Sequence, residues 1–261
     1  MFFIEVFSVS SFPYFLKLVL FCDIICSISK RSSQLHYKHL LFDLDHTLLD
    51  FSRGEEVALT QFLASMEVED IQAFKEVYRP LNQGMWKDLE KGLITKKELI
   101  NTRFSRTFAH FGRQVDGTEM ALRYQEFIGR QGQIFAGADK LLQELTKRGY
   151  QIYAATNGVT YIQENRLLHS PIQPYFKEVF ISEQMGTQKP SAYFYEKIAE
   201  QIAGFQFEQA LMVGDSLTAD IQGGNNAGMD TVWYNPSNLI NNSKAIPTYT
   251  IHSYQELLEM L

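Results

Sequence analysis

Five short apolar runs punctuate this chain: Leu40–Leu44, Ile152–Ala155, Val179–Ile181, Ala210–Val213 and Thr231–Tyr234. The stretches between them carry helical periodicity, as in ADKLLQELTKRG, ended by Gly149, and SAYFYEKIAEQIAG, ended by Gly204. Runs this short and this uniformly apolar suit strands covered on both faces, and helices between them supply the cover. The alternation predicts an α/β fold, a doubly wound, Rossmann-like parallel sheet. A strand at Tyr249–Ile251 and the helix YQELLEML close it.

One interval breaks the alternation. From Phe51 to about Phe135 there is no strand pattern. Leu59, Phe62, Leu63 and Met66 fall at i, i+3, i+4, i+7, and Phe74, Tyr78, Leu81, Met85 and Leu89 follow a looser helical stripe. Thr95 with Glu98 is a capping-box pattern, opening a helix with Ile100, Phe104, Phe108 and Phe111 on one face. An insert of about 80 residues is too long for a loop. The expected organisation is an α/β core of residues 37–50 and 136–261, an inserted helical domain at 51–135, and an N-terminal extension at 1–36.

The chain has 261 residues, 45% of them hydrophobic, and a formal net charge of −6. That size allows one substantial core and a smaller second domain. The acidic balance argues against a nucleic-acid polymer or a membrane surface as partner, since both require clustered positive charge. Residues 1–36 differ from the rest and hold both cysteines, Cys22 and Cys26. Glu5, Lys17 and Asp23 interrupt their apolar run, so they make a poor signal peptide and a poor membrane span. Cys22 follows Phe21, not the small residue a lipid anchor wants, and no second Cys or His pair completes a metal site. The segment is expected to be an extension outside the fold, and the protein cytoplasmic. Deleting residues 1–36 is therefore expected to leave kcat and Tm almost unchanged. A large loss of Tm in the truncated protein would place the segment on the core instead.

In a doubly wound sheet, ligands bind beyond the carboxyl ends of the strands. The first strand ends in Asp43, Asp45 and Thr47; the second in Thr156, Asn157 and Gly158. Lys189 and Pro190 follow the third strand, and Gly214, Asp215 and Asp220 the fourth. Each residue alone has a plain reading. Asn-Gly is usually a turn, Asp220 could complement a helix dipole, and His46 reads as a flap residue. Their joint placement on one sheet edge is the informative observation.

The segments DLDHT, TNG, KP and GDSLTAD resemble the four motifs of the haloacid dehalogenase superfamily of aspartyl phosphohydrolases, and the insert resembles its helical cap. GDSLTADIQGGNNAGMDTVWYNP, with NQGMWKDLEKGLITKKELINTRF in the insert, further resembles the YjjG-type 5′-nucleotidases. The resemblance implies a Mg²⁺-dependent phosphomonoester hydrolase acting on a small phosphate ester, a nucleoside monophosphate first and a sugar phosphate or phosphoglycolate as the alternative. Asp43 would attack phosphorus and Asp45 would serve as acid and base. Asp43, Asp215 and the Asp45 backbone carbonyl would hold Mg²⁺, which favours oxygen ligands. Thr156, the Asn157 N–H and Lys189 would hold the phosphoryl oxygens. Thr47, Gly214 and Asp220 would support them, Asp220 by orienting Lys189 or a metal-bound water. In the insert, Met85 and the phenylalanines read as core. Trp86 and Arg103 could meet substrate or simply pack, and Trp86 with Phe104 offers flat surface for a base. Two other functions fit less well. A dehalogenase does not require the acid at Asp45, and a receiver-type signalling module would be about half this length with adjacent acids.

Overall fold

The computed structural model describes residues 37–261. The expectations for residues 1–36, including Cys22 and Cys26, lie outside the described residues. Six parallel strands form one sheet: β1 His39–Phe42, β2 Gln151–Thr156, β3 Glu178–Ile181, β4 Ala210–Gly214, β5 Asp230–Tyr234 and β6 Tyr249–Ile251. Their order is β3-β2-β1-β4-β5-β6, so the chain builds outward from β1 in both directions. Leu40, Leu41 and Phe42 are wholly buried, as a central strand requires. β1 stops at Phe42, two residues earlier than its apolar run, because Leu44 opens a tight reversal. The Leu48 and Leu49 N–H groups return to the Leu44 carbonyl at 2.9 and 2.7 Å.

Four helices follow β1: α1 Phe51–Ser65, α2 Ile71–Glu90, α3 Lys96–His110 and α4 Gly117–Gly129. The rest belong to the sheet layer: α5 Ala138–Lys147, α6 Thr160–Leu168, α7 Ser182–Met185, α8 Ala192–Gln201, α9 Gln222–Asn226 and α10 Tyr254–Met260. This is the α/β fold with a helical insert that the alternation of elements predicts.

The insert has its own apolar centre. Leu59, Phe62 and Leu63 of α1 meet Phe74, Tyr78 and Met85 of α2, Leu99, Phe104 and Phe108 of α3, and Tyr124 and Ile128 of α4. Val159 and Ile162, at the start of α6, belong to the same cluster and tie the insert to the sheet layer. The Thr95 hydroxyl caps α3 by accepting the Glu98 N–H at 3.1 Å, while the Glu98 carboxylate lies 3.5 Å from Arg106. Phe111 falls outside the expected face. α3 ends at His110, and Phe111 is exposed, with its ring stacked on Phe74. A Cβ on Gly117 would stand 1.9 Å from the Asn101 carbonyl, so only glycine lets α4 start this close to α3.

The two connections between insert and sheet pair with each other. Asp50 N–H donates to the Gln133 carbonyl, and Phe135 N–H to the Leu48 carbonyl, both at 3.0 Å. No helix among the described residues is long and apolar enough to cross a membrane.

Candidate active site

β1 and β4 are neighbours, so their carboxyl ends present Asp43 and Asp215 side by side. Asp43 continues the ladder one residue past β1, its N–H donating to the Val213 carbonyl at 2.9 Å. Oxygens of Asp43, Asp215 and Asp220 all lie within 4.8 Å of one another. One cation is set among them. Lys189, 1% exposed, donates through Nζ to Asp43 Oδ1 at 2.7 Å, Asp220 Oδ1 at 2.6 Å and the Ala155 carbonyl at 2.7 Å.

Three clustered acids, two of them buried and paired with the one ammonium, leave an excess of negative charge. Burial pushes the Asp43 carboxyl well above the ordinary carboxylate range; Lys189 pulls the other way, and Asp220, Asp215 and Asp45 add to the rise. Asp215 is pushed up to about 7, by burial first and then by Asp220, against Lys189 and the Thr47 hydroxyl. Burial alone would lower Lys189, but Asp220 and Asp43 hold it above its ordinary value.

Each supporting residue has a local reason for its position. Asp220 Oδ2 accepts the Ser216 N–H at 2.9 Å, so both its oxygens are engaged. A Cβ on Gly214 would lie 2.2 Å from Asp220 Oδ2, which is why the strand ends in glycine. Asp220 lies in a single π-helical turn, Leu217–Ile221, and is 1% exposed. It is a partner of Lys189 and not a solvated charge on a helix dipole. The Thr47 hydroxyl accepts the Asp215 N–H at 3.1 Å and donates to Asp215 Oδ1 at 3.3 Å. The Tyr254 hydroxyl anchors the Thr47 carbonyl at 2.6 Å, and Trp233 Nε1 anchors the Asp215 carbonyl at 2.9 Å.

The end of β2 is equally ordered. Thr156 Oγ1 accepts from Gly158 N–H at 3.1 Å and from Gln163 Nε2 at 2.9 Å. The Asn157 side chain clasps the lysine backbone, accepting the Lys189 N–H and donating to the Lys189 carbonyl, each at 2.9 Å. His46 has a left-handed backbone with φ 64° and sits edge-on to Phe51 in the turn after β1.

Asp45 shows what the sequence left out. Its carboxylate is held by Arg166, which contacts Oδ1, and by Gln163 Nε2, 2.7 Å from Oδ2. Arg166 is wholly buried and also donates through Nε to the Gln131 carbonyl at 3.0 Å. Gln163 and Arg166 read as ordinary polar residues of an amphipathic helix. Their trace in the sequence is an i, i+3 spacing beside apolar Ile162 and Leu167.

A cavity of about 270 Å³ opens over these groups. Asp43, Asp45, Thr156, Asn157, Lys189, Asp215 and Asp220 line one side of it, and Trp86, Arg103, Tyr124 and Ile128 of the insert the other. All the core residues singled out by the motifs are therefore brought together, and both Trp86 and Arg103 reach the cavity. Phe104 does not. It is wholly buried and stacks on Tyr78, with centroids 5.0 Å apart, between Phe62 and Tyr124. The packing of α3 turns Phe104 into the insert's interior and its neighbour Arg103 to the cavity.

A buried acid pair at the switch point of a parallel sheet, a lysine between the acids and a helical insert above them define a hydrolase class. Residues 37–228 match the haloacid dehalogenase-like hydrolase family, and the chain belongs to it. It is 60% identical to pyrimidine 5′-nucleotidase PynA of Streptococcus pneumoniae over 87% of this chain and 96% of that one. It is 30% identical to pyrimidine 5′-nucleotidase YjjG of Escherichia coli over 85% of this chain and 96% of that one. The crystal structure of the HAD-hydrolase YfnB of Bacillus subtilis bound to magnesium superposes with a TM-score of 0.82. That protein is 39% identical, covering 87% of this chain and 99% of its own.

Proposed function

We propose that this protein is a cytoplasmic Mg²⁺-dependent phosphomonoester hydrolase acting through an aspartyl-phosphate on Asp43, and that its substrates are nucleoside 5′-monophosphates, pyrimidine ones first. The carrying observation is the cavity itself, with buried acids and Lys189 on one wall and the aromatic and apolar insert on the other. The names of the two nucleotidase relatives support the substrate class. Residues 37–50 and 136–261 then form the catalytic core, and 51–135 the cap. The described residues contain no cysteine, in keeping with a reducing compartment.

The donor set fits Mg²⁺. It is all oxygen and over-charged, and because Asp220 has both oxygens engaged, Asp43 and Asp215 are the carboxylates left to hold the ion. The Asp45 backbone carbonyl would be the third protein donor. When bound, the ion supplies the positive charge that lets a carboxylate approach an anionic phosphoryl group. The chain's own groups do the rest. An Asp43 oxygen forms a bond to phosphorus as the bond to the ester oxygen breaks, and Asp45 gives its proton to the departing alkoxide. Water then attacks phosphorus, Asp45 takes the water's proton, and inorganic phosphate leaves with Asp43 restored. Lys189, Thr156 and the Asn157 N–H hold the phosphoryl oxygens. Arg166 and Gln163 fix the direction of the Asp45 carboxylate.

The discriminating experiment compares kcat/KM for UMP, dTMP, AMP, phosphoglycolate and glucose phosphates. A preference for either non-nucleotide class would end the nucleotidase reading and leave the phosphatase. Trp86→Ala adds a second measurement. Stacking on a base contributes about 1–3 kcal/mol, so its loss should cut UMP turnover while sparing p-nitrophenyl phosphate. Equal losses on both would make Trp86 a packing residue.

Metal binding should depend on pH in a defined direction. Ligation needs ionised carboxylates, and Asp215 is pushed up to about 7, so protons compete with the metal below that value. Mg²⁺ at about 100 Kd stabilises a protein by about 2.7 kcal/mol. That rise in Tm is expected at pH 8, removed by EDTA, and much reduced at pH 5.5. Equal rises at both values would place the metal elsewhere.

A further inference from the structure

The cap wall of the cavity carries a cation with few partners. Arg103 is 5% exposed, and its hydrogen bond to Asn82 Oδ1, at 3.2 Å, leaves Nε without an acceptor among the described residues. A guanidinium has five N–H donors, no acceptor and a permanent charge. Its carbon lies 5.3 Å from the ring centroids of both Phe104 and Tyr124. Tyr124, 2% exposed, lines the cavity beside it, and its hydroxyl is likewise unpartnered among the described residues. No carboxylate among the described residues forms an ion pair with Arg103; Glu55 feels its charge without contact. Buried donors left unmade are costly, and a native fold keeps them where a ligand completes them.

The phosphoryl chemistry uses neither group, since its residues all come from the sheet edge and α6. A donor-only guanidinium beside a hydroxyl reads acceptors. On the nucleotide reading, which this inference rests on, the matching acceptors are carbonyl oxygens of the base. Uracil and thymine present two; cytosine presents one beside a ring-nitrogen acceptor, and adenine offers ring nitrogens only, which are aimed differently from a carbonyl. Trp86 and Ile128 line the same space and offer apolar surface to a ring. The cavity, at about 270 Å³, lies just below the usual range of ligand pockets, roughly 300 to 1,000 Å³; a one-ring base suits it better than two.

We propose that Arg103 and Tyr124 form a carbonyl-reading site in the cap that selects uracil and thymine nucleotides over cytosine, and adenine last. Recognition by buried polar groups discriminates strongly, because a substrate lacking the acceptor leaves those groups unpaired.

The test measures kcat/KM with Mg²⁺ present for UMP, CMP, AMP, ribose 5-phosphate and phosphoglycolate, in the full-length protein and in Arg103→Gln, Arg103→Lys and Tyr124→Phe. Arg103→Gln is expected to lower UMP turnover about 10- to 100-fold and Tyr124→Phe about 5- to 10-fold, the scale of lost hydrogen bonds to charged and neutral groups. The UMP-over-AMP ratio should fall with it, and the loss should be confined to substrates whose base carries a carbonyl oxygen. Tyr124→Phe removes an unpartnered hydroxyl, so its Tm should not fall, which separates recognition from folding. Equal losses on UMP and ribose 5-phosphate would overturn the inference, because Arg103 would then serve the cap or the sugar phosphate. A loss selective for phosphoglycolate would overturn it in favour of an anion reader. A protein without substitutions that shows no preference for UMP over ribose 5-phosphate would refute the nucleotidase reading itself, before any variant is made.

Discussion

Asp43→Asn is expected to abolish turnover, by about 10⁴-fold or more, as loss of a covalent nucleophile does in other enzymes, while the protein stays folded. The amide keeps the size of the carboxylate and can still accept the Lys189 hydrogen bond now made at 2.7 Å. It lacks the charge that, on the proposed mechanism, attacks phosphorus. Stability should hold or improve above neutral pH, and the sign follows from the direction of the Asp43 shift. Its folded-state pKa is raised, chiefly by burial, so the folded protein binds a proton more tightly than the unfolded chain. Such a group costs stability as pH rises through its raised pKa, and removing it removes that cost. Near-normal activity in Asp43→Asn would refute the covalent mechanism. A full loss of activity with a collapsed Tm would show only that the side chain is structural.

Much of this site is legible in the sequence for a physical reason. Strands of a parallel sheet are buried on both faces, so their apolar runs stand out, and whatever polar group follows them lies at the ligand edge. Asp43, Thr156 and Asp215 follow from that rule alone, whereas Lys189 lies beyond α7 and is brought back to the edge by the loop after it. Gly214 follows less directly; its need appears only when the Asp220 carboxylate is seen to occupy the space of its missing Cβ. Arg166 and Gln163 were not legible, because a polar residue on an amphipathic helix looks solvated until the packing of that helix is known. Arg103 and Phe104 show the same limit within one turn. Neighbours on a helix point about 100° apart, and the rotation of α3 about its axis decides which one meets the cavity. That rotation is fixed by Phe62, Tyr78 and Tyr124, which lie far from α3 in sequence. α4 was hidden for another reason. It begins at Gly117 and ends at Gly129, and glycine has low helix propensity.

Lys189→Met is expected to lower Tm more than any other single change in the site. Among the described residues the lysine is the one cation that Asp43 and Asp220 share, and it is 1% exposed. Methionine fills much of the same volume but leaves buried acids without a counter-charge. Breaking a buried ion pair by removing one partner costs about 3–5 kcal/mol, which for a chain of this length is a fall of roughly 6–20 °C. Activity should be lost with it, since on the proposed mechanism the same ammonium holds the phosphoryl oxygens. The deficit should also depend on pH. Lys189 pulls the Asp43 carboxyl down against burial, so its removal lets that group rise further, and protonation then relieves the repulsion. The loss in Tm is therefore largest near pH 8 and smaller near pH 5. Adding Asp220→Asn to Lys189→Met removes one of the stranded charges. The double variant should recover part of the lost stability and none of the activity, the non-additivity expected of groups in one network. Differential scanning calorimetry of the wild type, both single variants and the double variant across that pH range measures this directly. A Lys189→Met protein that melts within 2 °C of wild type, by the same scale of about 2–4 °C per kcal/mol, would mean that the acids are already protonated or solvated. The charge arrangement on which the catalytic reading depends would then be wrong.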